Sequence, residues 1–227
     1  MEGLRFRLRA ATALAHARLE AAIDIGAHCT DRGAYRGLIA RFLGIYAPLE
    51  AALGEVDWAA LNIDFAVRSK VGWLVEDLTL LGLGREDIAS LPRAQRLPTI
   101  KCPADALGVL YVMEGASLGG QIISRQLETQ LAINRSTGGR FFSSYGSEVG
   151  DKWRAYVATL ETFGGSPAIA MRIERAALET FACFEAWLGA AVAATSSTGG
   201  DPHPRVDPAE IETAPENGTT RLMHVPL

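Results

Sequence analysis

The segment LGVLYVMEGASLGGQIISRQLE, residues 107–128, constrains the fold more than any other part of the chain. Its apolar residues recur at helical spacing, yet Gly108, Gly115, Gly119 and Gly120 lie inside it. Each glycine costs a helix interior about 1 kcal/mol relative to alanine, so something in the fold must offset several such penalties. At 100° per residue Gly108, Gly115 and Gly119 fall within about 40° of one another, and the helix presents bare backbone on that side and can kink there. Two arrangements use such a face: a second backbone packed at close range, or a flat ligand. A phosphate cradle is not indicated, because neither GxGxxG nor GxxxxGK follows a strand here.

The remaining chain also reads as helix. Residues 3–25 place Leu4, Leu8, Ala15, Leu19 and Ile23 on one side. Residues 34–53 repeat the pattern through Tyr35, Leu38, Phe42, Tyr46, Leu49 and Leu53, and residues 67–81 form a third apolar stretch ending near Gly82 and Gly84. Pro103 suits the first turn of the glycine-bearing helix, which is expected to run to Leu131. A turn over residues 134–139 and helices over 147–163 and 167–194 complete the pattern, with no alternating strand. The expectation is an all-α, single-domain, multi-helix fold over residues 1–194. Residues 195–227, rich in Ser, Thr, Gly, Pro and Glu, are expected to form a flexible tail.

Charge excludes some partners. With 22 basic and 26 acidic residues, the formal charge of -4 gives no basic excess for nucleic acid or an anionic membrane. No window holds the roughly 18 continuous apolar residues of a membrane span, and Arg5, Arg7 and Arg9 interrupt the start where a signal peptide would be apolar. A cytoplasmic protein is expected. Cys29, Cys102 and Cys183 form no CxxC pair and read as buried thiols in a reducing compartment.

The second constellation is T-x-x-x-H-x-x-x-E: Thr12, His16 and Glu20 occupy successive turns of the first helix and share one stripe. An imidazole so placed can bind a metal through one nitrogen while the other faces the carboxylate a turn away. The same spacing also describes an ordinary surface pair. Arg9 lies on this stripe about 10 Å from His16 along the axis, a reach suited to a carboxylate on a large planar ligand. Other arrangements are poorer. His28 and Cys29 do not close a metal site, Glu76 and Glu114 lack the paired E-x-x-H of di-iron helices, and no Ser-His-Asp set can be assembled.

Taken together, the two constellations resemble the heme oxygenase family, in the bacterial branch often associated with phytochromes. In that family an N-terminal helix supplies a proximal histidine with a glutamate four residues on, matched by His16 and Glu20, and a glycine-kinked distal helix crosses the other heme face, matched by Gly115, Gly119, Gly120 and Gln121. The resemblance covers roughly residues 4–190. It implies cleavage of heme, both substrate and cofactor, with O2 and electrons from a separate reductase or ferredoxin-type donor, to biliverdin, CO and ferrous iron, with a phytochrome as a recipient of the product. It further implies that Arg9 and Arg172 hold the propionates, that Gly120 adjoins the heme, and that Gly115, Ser117 and Gly119 serve the distal side, Ser117 within a water network. The chain departs from the better-known members at Ala116, where they carry an aspartate, and at Leu110, where they carry a tyrosine, although Tyr111 is adjacent. Ala116 favours a second reading, a heme or tetrapyrrole protein that stores, senses or delivers its ligand without cleaving it.

Overall fold

A computed structural model describes the backbone of residues 3–196 and the side chains of residues 3–189. Nine α-helices order these residues: α1 (Leu4–Ile23), α2 (Ile25–His28), α3 (Arg32–Gly54), α4 (Val71–Leu80), α5 (Arg85–Ser90), α6 (Pro103–Leu131), α7 (Arg140–Ser143), α8 (Val149–Phe163) and α9 (Pro167–Ser196), with no strand among the described residues. The long helices are those read from periodicity. The one-turn helices α2 and α7 and the six-residue α5 are additional, being too short to show a period. Of the segment expected to form a flexible tail, residues 195 and 196 end α9 and residues 197–227 lie outside the described residues.

Helix ends follow local chemistry. Asp31 caps α3 by accepting the Gly33 and Ala34 N–H groups at 2.7 and 2.9 Å. Pro103 opens α6 at a position where its missing N–H is not needed, with Asp105 in the first turn. Pro48 lies inside α3 and removes the donor that would serve the Gly44 carbonyl. The Ala94 N–H fills that place at 2.9 Å, which brings the 92–94 segment across α3. Gly44 is small enough for the crossing, since a Cβ there would meet Trp187 and the Pro92 carbonyl.

α9 packs along both α6 and α1; α3 rests on α9, α8 on α6 and α1, and α4 packs against α3 and α7. Leu4, Leu8, Ala15, Leu19 and Ile23 of α1 are all buried, together with Thr12. Of the helices, α3 and α6 are long and apolar enough by composition to cross a membrane, and they bury more than half of their apolar windows inside the fold.

Gly108 faces α9 so closely that a Cβ would collide with the Ile173 carbonyl and the Ala176 side chain. At Gly119 a Cβ would meet nothing within 4 Å, and at Gly120 it would lie 2.7 Å from the Phe142 carbonyl oxygen. The expected single bare face is therefore divided. Gly108 serves helix packing, Gly119 borders open space, and Gly120 admits the backbone of α7.

Candidate functional site

The open space beside Gly119 belongs to a partly open cavity of about 130 Å³. α1 contributes His16, Leu19, Glu20 and Ile23; α6 contributes Val112, Ala116, Ser117, Gly119, Gly120 and Ile123; α9 contributes Phe181 and Phe184. Phe42 and Tyr46 of α3, Phe141 and Phe142 of α7, Ile25 and Lys70 close it. The walls are mostly apolar and strongly aromatic. Phe42 and Phe141 lie 4.9 Å apart between ring centroids, and Tyr46 packs edge-on against Phe141 and Phe184 at 5.2 and 5.7 Å.

His16 is held from two sides. Its ring packs edge-on against Phe181 of α9 at 5.8 Å, and its Nδ1 lies 3.6 Å from Glu20 Oε2. The pair is neither fully buried nor free in water: the side chains are 20% and 47% exposed. An imidazole with this orientation on the wall of an aromatic cavity can serve as an axial ligand to a flat metallocycle. Thr12, by contrast, is buried beneath the stripe and donates its hydroxyl to the Leu8 carbonyl at 2.7 Å.

The other expected residues divide. Ser117 and Gly120 line the cavity with Gly119; the Ser117 hydroxyl lies 3.4 Å from the Met113 carbonyl. Gly115 is buried and does not line the cavity. At 100° per residue it lies about 40° round the helix from Gly119, the nearest of the lining positions on that side. Arg9 is exposed on α1, outside the lining. Tyr111 is buried against Trp153 at 5.9 Å and is also outside it.

Arg172 also lies outside the cavity lining. Its Nε and Nη2 donate to Asp105 Oδ1 and Oδ2, each at 2.8 Å, so its guanidinium ties α9 to the first turn of α6. At 100° per residue Arg172 lies about 180° and 120° round α9 from Phe181 and Phe184, the two α9 residues that line the cavity. Burial pushes the Asp105 carboxyl up, but the Arg172 guanidinium and the Lys101 N–H hold it below its ordinary value.

A group that the sequence reading did not assemble lies behind one wall. Glu114 of α6 accepts from Arg68 Nη1 at 2.7 Å, Lys70 Nζ at 2.9 Å and the Tyr145 hydroxyl at 2.8 Å. All three charged residues are buried, and Lys70 reaches the cavity lining. Burial, and then the Glu114 charge, push the Tyr145 phenol up, so it stays protonated and donates. The available signal was a charge within the apolar run LYVMEGASL, which requires a buried partner. The Phe141 and Phe142 walls had no comparable signal, since α7 is one turn long.

The Heme oxygenase family model matches residues 2–190. The fold is similar to that of a heme oxygenase from Neisseria meningitidis, in structures with NO and CO bound, with a TM-score of 0.69, 18% identity, and coverage of 83% of this chain and 91% of that one. It is also similar to a heme oxygenase from Leptospira interrogans, with a TM-score of 0.67, 17% identity, and coverage of 83% of this chain and all of that one. Among curated protein sequences no match is found.

Proposed function

Because this chain belongs to the heme oxygenase family, we propose that it cleaves heme to biliverdin, CO and ferrous iron, using O2 and electrons from a separate reductase or ferredoxin-type donor. The observation that carries this reading is His16, an imidazole on the wall of an aromatic cavity whose α6 wall leaves open space at Gly119. The residues fit the group: flat apolar walls suit a porphyrin, and a neutral imidazole suits its iron. Heme, when bound, supplies both the redox centre and the carbon skeleton to be opened.

His16 would hold the iron through Nε2, since Nδ1 faces Glu20. Glu20 then favours the proton on Nδ1 and makes the ring a better donor, while the edge of Phe181 limits its rotation. Gly119 allows α6 to approach the ligand plane, Gly120 lets α7 close in beside it, and Ser117 offers a hydroxyl on the same wall. Arg9, about two turns before His16 and exposed, is the cation assigned to a carboxylate at the rim. On this reading the protein works in the cytoplasm, without a membrane or nucleic-acid partner, and passes biliverdin to a phytochrome.

Ala116 supports the second reading, binding without cleavage, because it lines the cavity with a methyl group that anchors no water. Hemin titration followed by a reductant in air separates the two. Cleavage bleaches the Soret band and produces biliverdin absorbance, whereas storage leaves the band intact. No Soret complex at all would refute both readings.

A further inference from the structure

Lys70 is the one cation lining the cavity among the described residues, and it is 2% exposed. An ammonium removed from water this completely persists only with a full set of acceptors. Its three N–H groups have them: Glu114 Oε1 at 2.9 Å, the Tyr145 hydroxyl at 3.2 Å and the Arg68 carbonyl at 3.3 Å. The backbone is fixed as well, since Glu50 of α3 accepts the Lys70 N–H at 2.7 Å and the Val71 N–H at 3.3 Å. Glu114 is shared with Arg68, and Tyr145, which is partly exposed, extends the hydrogen-bonded group toward the surface beside Lys152.

A buried ion cluster of this kind is seldom the most stabilising solution, since apolar residues of similar volume often do as well. Its position suggests a different use. The lining is otherwise aromatic and aliphatic, apart from the His16 and Glu20 pair and the hydroxyls of Tyr46 and Ser117. With every N–H engaged, what Lys70 offers the cavity is positive charge in a poorly screening environment.

We propose that Lys70 is the charge-supplying residue of this cavity, stabilising negative charge that develops on oxygen ligands or water within it, and that Glu114, Tyr145 and Arg68 are positioning residues that hold the ammonium at the wall. The proposal rests on the heme reading above and deepens it. The groups facing Lys70 are Glu114 from α6, Glu50 from α3, Tyr145 after α7, and Arg68; His16, Glu20 and Tyr46 share the cavity with it.

The test uses the full-length protein reconstituted with hemin. The absorbance of the ferric complex is followed from pH 6 to 10 to locate its acid-to-alkaline midpoint, and apo melting temperatures are measured in parallel. Lys70→Met should raise the midpoint by about one pH unit, because a nearby cation favours the anionic form. Glu114→Gln, which keeps the ammonium and an amide oxygen to receive it, should lower the midpoint, and it carries the test alone if Lys70→Met does not fold. Opposite shifts establish charge supply. Midpoints that stay at the wild-type value while melting temperatures fall would overturn the proposal and leave the cluster a structural brace. Wild-type protein that forms no Soret complex would instead overturn the heme reading, and the proposal with it.

Discussion

Asp77 fixes the position of Phe141: its buried carboxylate accepts the Phe141 N–H through Oδ2 at 2.8 Å while Oδ1 accepts the Arg140 N–H at 2.8 Å. A residue of α4 thereby anchors the single turn α7, whose Phe141 and Phe142 form part of the cavity wall. Tyr35 assists by donating its hydroxyl to the Gly138 carbonyl at 2.9 Å, where the chain turns at φ +109°.

This anchor makes stability depend on pH. Burial pushes the Asp77 carboxyl up to about 6 against the opposing pull of the two N–H groups. The folded state therefore holds this proton more tightly than the unfolded chain. Its contribution is fully present below the unfolded value near 3.8 and is lost as pH rises through about 6. The apo stability of wild type minus that of Asp77→Asn should fall by up to about 3 kcal/mol between pH 4 and pH 7. Urea titrations of both proteins at several pH values measure it, and a pH-independent difference would place the carboxyl in its ordinary range.

The divided glycine face predicts two different failures. Gly119→Leu should leave apo stability near wild type, because its Cβ has open space, while hemin affinity falls sharply as the side chain enters the cavity. Gly108→Ala should do the reverse. It drives a Cβ into the Ile173 backbone, costs the apo protein about 1 to 3 kcal/mol, and leaves hemin affinity of the folded fraction unchanged. Denaturant titration and Soret titration on the same preparations decide both, and a destabilised Gly119→Leu that binds hemin normally would refute the placement of that face.

His16→Ala should keep the fold, since the ring is held at a partly exposed cavity wall rather than in the core, yet alter the ferric spectrum and weaken hemin binding. Glu20→Gln should be milder, retaining an acceptor while removing charge and moving the iron potential modestly upward. Unchanged ferric ligation by electron paramagnetic resonance in His16→Ala would eliminate it as the ligand.

Arg172→Met separates a structural tie from a ligand contact. With the bidentate bond to Asp105 gone, the apo melting temperature should drop while hemin affinity stays at the wild-type value. A large loss of affinity without loss of stability would support the propionate role that the family resemblance implies.

The sequence by itself determined the helices and the two wall elements that matter most. Periodicity marked α1, α3, α6, α8 and α9 because a long helix repeats its buried face several times along the chain. His16 with Glu20, and the glycines of α6, were legible because each constellation lies within one helix, where geometry follows from residue spacing. Only the tertiary structure decided which neighbour each face meets. Gly108 and Gly119 share a side of α6, yet one abuts α9 and the other a cavity; Arg172 sits on the α9 face that turns to Asp105 instead of the cavity. The polar cluster gathers Glu50, Arg68, Lys70, Glu114 and Tyr145 from four separate stretches of chain. Spacing along the chain carries no record of such a meeting, because the contacts are set by how helices cross, and burial of unlike charges then selects the partners.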